Sequence, residues 1–239
     1  MISTEGERIF RNIAFYRYPV EPPLSWRLKD LGSDFLPEFP DKYHEYGDVP
    51  KAYLKHFFKV IVLYALLFNE KGYEKPHSIN MLLRFIEYRA TGALFRFSTY
   101  VSTSIPGANE ACFGKWENIE CPKPITWMEI LTRKQSNYNG RYKSNNCGDL
   151  VFSGHTYWAT LLTLLICKYN RKVFRISKKA SYCVNFTASM IWLCNGLFVL
   201  MARNHYTIDV VVASYFAPLL WYWFERKVHP NDLCPSEAE

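Results

Sequence analysis

Apolar positions in this chain are bunched into runs instead of being spaced along one face of amphipathic helices. Five runs approach the roughly 20 residues that a helix needs to cross the hydrocarbon core of a bilayer. They cover residues 53–69, 81–105, 155–169, 182–202 and 208–224. The first carries Lys55 and Lys59 near one end, and the second is interrupted by Arg84, Glu87, Arg89 and Arg96. The fifth gathers aromatic residues at its end, as an interfacial belt does, and contains Pro218, which kinks a helix unless neighbours satisfy the freed backbone groups. The pattern predicts an all-α chain: a polytopic membrane helical bundle of about five transmembrane helices. A soluble bundle with unusually apolar core helices is the alternative.

Short basic loops set the expected orientation. Lys71 and Lys75 follow the first run, Arg171, Lys172, Arg175, Lys178 and Lys179 follow the third, and Arg226 and Lys227 follow the fifth. The positive-inside rule puts all three on the cytoplasmic side, so the amino terminus, the loop 106–146 and the turn 203–207 face the lumen or exterior. The chain divides accordingly into a polar segment 1–50, a membrane-embedded domain 51–226 with the lumenal loop 106–146, and a cytoplasmic tail 227–239.

Composition changes this picture little. A mean hydropathy of -0.16 reads as soluble, but it averages the apolar runs with the polar loops between them. The net charge of +7 suits loops beside anionic lipid and a phosphate-bearing substrate, and no basic helical face or reader motif points to nucleic acid. The seven cysteines show no zinc spacing, so no metal is expected. Cys167, Cys183 and Cys194 fall in or beside apolar runs as small hydrophobes, and Cys112, Cys121 and Cys147 lie in the polar middle segment, where an oxidising compartment would permit a disulfide. Residues 1–8 lack a cationic start followed by an apolar run, so no cleavable signal peptide is expected.

Two polar strings sit at the edges of the runs. One is Cys147-Gly148-Asp149-Leu150-Val151-Phe152-Ser153-Gly154-His155-Thr156, and the other is His205-Tyr206-Thr207-Ile208-Asp209-Val210. His155 opens the third run and His205 follows the fourth, so one helix descends, the next returns, and both imidazoles reach the same face. Asp209, four residues beyond His205, stacks on the same side of a helix and can fix the imidazole tautomer. A phosphodiester needs a nucleophile on phosphorus and an acid for the departing alkoxide. His205 suits the first role and His155 the second. Ser153 and Gly154 offer a hydroxyl and a close backbone approach to phosphate oxygens. Arg203 is placed to neutralise charge on the phosphoryl group. Arg89 and Arg96 fall at membrane depth, where a guanidinium has to face a partner or a polar cavity. Arg96 reads equally as a phosphate clamp or a structural partner, and Arg89 reads as structural. Asp149 either supports a catalytic proton or caps the start of the third helix. Read one at a time, an interfacial histidine, a His-x3-Asp or a Ser-Gly-His turn is ordinary; their meeting on one predicted face points to function.

Both strings resemble the third and fourth signatures of the sphingomyelin synthases. The string 96–107, RFSTYVSTSIPG, is similar to the second signature, and Glu21-Pro22-Pro23-Leu24 with Asp34-Phe35-Leu36-Pro37 is similar to the first. The chain departs from the pattern at Ser25-Trp26, where a Pro-Asp pair is expected, and at Asn204, where an acid is expected. Family members usually carry six spans, so five imply a chain that starts where a second span would follow, as a truncated sequence or a five-span variant. The resemblance implies a catalytic triad at His155, His205 and Asp209, a two-step transfer through a phosphohistidine, independence of metals and cofactors, and an active site on the lumenal or exoplasmic side of the Golgi, plasma membrane or endoplasmic reticulum. It implies a transferase moving phosphocholine or phosphoethanolamine from a glycerophospholipid to ceramide. A phosphoinositol donor is a variant of that reading. Hydrolysis of the phosphohistidine by water and a catalytically silent scaffold are the alternatives.

Overall fold

The computed structural model describes residues 9–10, 12–14, 16–17, 25, 27–40, 46–68, 77–103, 105–108, 126–132 and 151–227. Seven helices carry most of them: α1 (Leu31–Phe35), α2 (Val49–Phe68), α3 (His77–Ser102), α4 (Trp127–Thr132), α5 (Gly154–Phe174), α6 (Lys178–Met201) and α7 (Thr207–Lys227). No strand occurs among the described residues. The five long helices coincide with the five apolar runs. Of these, α6 and α7 are long and apolar enough to cross a membrane by length and composition. The lysines of α2, the four charges of α3 and the threonines of α5 lower the apolarity of the other three.

α5 is the central helix and packs against α2, α3, α6 and α7. Its Leu161, Leu162, Leu165 and Ile166 meet Leu54, Phe58, Ile61 and Ala65 of α2 and Met81 and Tyr88 of α3 in one buried cluster. By contrast α6 and α7 turn large apolar side chains outward, with Tyr182 at 72% exposure and Tyr215 at 71%. Apolar surface facing away from a core is the arrangement of a helix solvated by lipid, whereas water would penalise it by about 25 cal/mol per Å².

The α5–α6 hairpin is built so that its open end carries the functional residues. α5 starts at an N-cap, Ser153, whose hydroxyl accepts from Thr156 N, and α6 starts at another, Ser177, which accepts from Ala180 N. Arg171 and Lys172 lie in the last turn of α5, where cations complement the helix dipole. Polar side chains pin the two helices together along their length. Asn170 Nδ2 donates to Asn185 Oδ1 (2.7 Å), Ser181 Oγ donates to Asn170 Oδ1 (2.8 Å), and Trp192 Nε1 donates to Thr160 Oγ1 (2.8 Å). Such bonds between helices set their register where apolar contacts alone leave it loose. α7 continues through Pro218. Its far end is tied in by Glu225, which is buried and pairs with Arg84 of α3 and Lys168 of α5 while accepting from the Tyr88 hydroxyl (3.1 Å).

Candidate active site

The hairpin brings His155 and His205 to one end of the bundle. His155 Nδ1 lies 3.4 Å from His205 Nε2. The outer nitrogen of each ring meets a carboxylate: His205 Nδ1 is 3.2 Å from Asp209 Oδ2, and His155 Nε2 is 3.0 Å from Asp48 Oδ1. The four side chains therefore form a line, Asp48–His155–His205–Asp209. His205 and Asp209 are buried, while His155 and Asp48 stand nearer the surface.

Local sequence explains why His205 sits where it does. α6 ends with Arg203 N bonded to Leu200 O (3.0 Å) and Asn204 N bonded to Val199 O (3.2 Å), the paired closure that needs a left-handed residue after the cap. Arg203 takes that place with φ 49, a conformation costing a residue other than glycine about 1 kcal/mol. Its guanidinium offsets the cost by donating to Ser33 O (3.1 Å) and Leu36 O (3.0 Å), with Glu38 3.6 Å away. The chain then turns straight into α7. Asp209, in the first turn of α7, reaches back to accept from Tyr206 N (3.0 Å), the carboxylate half of a capping box.

Asp209 does more than orient one ring. Its Oδ1 accepts from Val151 N (3.0 Å), and its backbone oxygen accepts from Ser153 N (3.2 Å). Val151 holds φ 100, a strained value for a β-branched residue, and the Asp209 bond secures it. One buried carboxylate thus joins the loop of His205 to the loop that leads into His155.

The structure gathers His155, His205, Asp209, Ser153 and Gly154, and it brings Arg96 against the same turn. A Cβ on Gly154 would lie 2.5 Å from Arg96 Nη1, so only glycine allows the guanidinium this close to the start of α5. Arg89 stacks over the Trp158 ring at 4.2 Å, which fits its structural reading. Both arginines, with Gly92, Phe152, Tyr157 and Trp158, line a small cleft beside Gly154. Arg203 is placed with its guanidinium on the backbone of residues 33–36. Asp149 lies outside the described residues, as do Cys112, Cys121 and Cys147. Among the described residues no group of three His, Cys, Asp or Glu side chains could hold a metal ion.

Asp48 is the member of the line that the sequence strings do not contain. Enclosure raises its carboxyl, but the hydrogen bond and charge of His155 and the charge of Lys51, 2.8 Å away, outweigh this and hold it well below the usual carboxylate range. The available signal was weak: an acid immediately before an apolar run, in Gly47-Asp48-Val49-Pro50.

Residues 146–227, which contain both histidines and Asp209, match the family described as PAP2 superfamily C-terminal. Relatives extend the likeness upstream. A phosphatidylinositol:ceramide inositolphosphotransferase of Oryza sativa subsp. indica is 27% identical over 204 residues, covering 84% of this chain and 57% of that protein. Phosphatidylcholine:ceramide cholinephosphotransferase 1 of Gallus gallus is 34% identical over 157 residues, covering 63% of this chain and 34% of that protein. Its counterpart in Homo sapiens is 31% identical over 156 residues, with 63% and 35% covered. The chain therefore spans little more than half of the rice relative and about a third of the vertebrate ones. Together these matches support a sphingomyelin synthase-like family.

Proposed function

We propose that this protein is a membrane-embedded ceramide phosphotransferase working through a phosphohistidine. The observation that carries the reading is the line Asp48–His155–His205–Asp209, in which each imidazole has a carboxylate on its outer nitrogen and turns its inner nitrogen toward the other ring.

The reaction follows from that arrangement. Asp209 holds the proton on His205 Nδ1 and leaves Nε2 free to attack. A glycerophospholipid phosphate enters between the rings, which part to admit it. His205 Nε2 forms a bond to phosphorus, the phosphorus–oxygen bond to diacylglycerol breaks, and protonated His155 gives its proton to the departing alkoxide. In the second half, neutral His155 takes the proton of the ceramide primary hydroxyl as that oxygen attacks phosphorus. The phosphorus–nitrogen bond breaks and His205 is restored. Asp48 steadies His155 in its protonated form, the counterpart of Asp209 on the other ring. Arg96 of α3, packed against the start of α5, is the side chain best placed to meet a phosphate oxygen, with Ser153 and Gly154 shaping the turn beneath it.

All five long helices span the membrane in this reading, with the histidine end lumenal or exoplasmic, in the Golgi or plasma membrane. Glu225, Arg84 and Lys168 lie at the opposite, cytoplasmic end, consistent with the basic loops there. The relatives carry either choline or inositol head groups in their names, so the donor head group is the quantity to measure. The test supplies detergent-purified protein with fluorescent ceramide and mixed phosphatidylcholine, phosphatidylethanolamine and phosphatidylinositol, with His205→Ala alongside. A head-group-bearing ceramide made by the wild type and absent with His205→Ala supports the reading and names the donor. Diacylglycerol formed without it assigns a hydrolase, and neither product refutes both.

A further inference from the structure

We infer that Asp30 is a positioning residue for this reaction: from the amino-terminal segment it caps the helix that carries Asp209 and so holds the loop of His205 in place. The inference rests on the proposed phosphotransfer for its kinetic readout and on the geometry alone for its structural one.

The need for such a residue is written into the start of α7. A helix leaves its first backbone N–H groups without partners inside the helix, and an N-cap Ser, Thr, Asp or Asn side chain ordinarily serves one of them. Here the residue before Thr207 is Tyr206, whose hydroxyl is turned away to donate to Gly107 O (3.0 Å). Its side chain cannot cap. The missing acceptor comes from a residue far away in the chain: Asp30 Oδ1 accepts from Thr207 N at 2.8 Å, and Asp30 Oδ2 accepts from Thr207 Oγ1 at 3.0 Å. Ser33 N also donates to Asp30 Oδ2 (3.1 Å), which fixes the carboxylate from its own side. Thr207 Oγ1 in turn accepts from Gly32 N (2.9 Å), and a Cβ on Gly32 would fall 2.6 Å from that oxygen. Glycine at position 32 is what lets the two segments approach so closely. A carboxylate at this end also complements the helix dipole.

What Asp30 holds is the reacting geometry. Thr207 is the first residue of α7, two before Asp209 and two after His205. A shift of this turn moves the carboxylate that orients His205 and, through Val151 N, the approach to His155. The segment itself is fastened independently, by Arg203 to Ser33 O and Leu36 O and by Phe39 N to Met201 O (2.9 Å). Removing Asp30 therefore frees the first turn of α7 and the Ser33 N–H, while the Arg203 and Phe39 contacts keep the segment docked. Misplacing reacting groups by about 1 Å costs on the order of 10²-fold in rate, which sets the scale.

The experiment uses the full chain in detergent, with Asp30→Ala, Asp30→Asn, Thr207→Val and Thr207→Ser. Asp34→Asn, an exposed acid on the same segment, controls for loss of charge. The expected result is a fall in kcat of about 10- to 100-fold for Asp30→Ala with KM for the donor lipid within about twofold. Thr207→Ser and Asp34→Asn should stay close to wild type, and Asp30→Ala/Thr207→Val should lose no more than the worse single variant, as for two members of one contact. Hydrogen exchange of residues 207–210 should rise in Asp30→Ala, as should that of Ser33, which also loses its acceptor, while exchange of residues 36–39 does not. Unchanged kcat in Asp30→Ala, an equal loss in Asp34→Asn, or unchanged exchange at the start of α7 would overturn the inference. A wild type without turnover on any donor would refute the phosphotransfer, and the exchange measurement would still decide whether Asp30 caps α7.

Discussion

Replacing Asp209 by asparagine is the sharpest perturbation of the proposed chemistry, because its carboxylate faces donors on every side. Oδ1 receives Val151 N, and Oδ2 receives Tyr206 N and His205 Nδ1, in a site with no exposure. An amide has one oxygen for these three donors. If that oxygen stays toward His205 and Tyr206, the new NH2 group meets the Val151 N–H, donor against donor. If it turns toward Val151, the NH2 group meets His205 Nδ1 and drives the proton to Nε2, the nitrogen that must attack. Loss of a charge-assisted bond in a buried site costs about 1.5–3 kcal/mol of stability. Loss of tautomer control lowers turnover by as much as about 10⁴-fold in the Ser-His-Asp triads where the same change has been made. Asp209→Asn should thus be recovered in folded form, less stable than wild type, with turnover reduced by about 10²- to 10⁴-fold and KM much less affected. The assay is head-group transfer to fluorescent ceramide, read beside thermal unfolding in the same detergent. Turnover within about threefold of wild type would refute the assignment of Asp209 as the group that orients His205.

Four further outcomes are expected. Asp48→Asn should lower turnover less than Asp209→Asn, about 10- to 100-fold, since Asp48 is more exposed and supports the proton-transfer histidine; an effect below twofold would remove it from the mechanism. Because its carboxyl is depressed, the Asp48–His155 pairing is present at neutral pH and is lost only as pH falls below the ordinary carboxylate range, so the ratio of wild-type to Asp48→Asn turnover should stay constant across neutral and mildly acidic pH. Glu225→Gln should destabilise the bundle by about 3–5 kcal/mol by removing the carboxylate that the buried Arg84 and the half-buried Lys168 share, measured by thermal unfolding; a stability equal to wild type would mean that the network is dispensable. Chelation with EDTA should leave transfer intact, and a strong loss would point to a metal in the mechanism.

Much of the architecture could be read from the chain before any coordinates. The bunched apolar runs predict the five long helices, because a helix that buries or immerses most of its surface has no need of an amphipathic stripe. The boundaries agree to within a few residues, with α3 starting earlier than the run 81–105 because its first turns are polar. That His155 and His205 meet also follows from the chain: two long helices joined by a short turn must return to the same end. Asp209 was legible from its spacing, since four residues on a helix bring side chains together.

The rest waited on tertiary structure, for one physical reason. A contact between residues distant in sequence leaves no periodicity, and its energy depends on where the two segments are held. Asp48 and Asp30 are ordinary acids in a polar segment until that segment folds over the starts of α5 and α7. Arg203 illustrates the same point: beside a histidine in sequence it reads as a phosphate partner, while in space its guanidinium holds Ser33 and Leu36. Charge and type are properties of a residue, but which oxygen a guanidinium finds, and which ring a carboxylate orients, is decided by the approach of segments that the sequence alone leaves far apart.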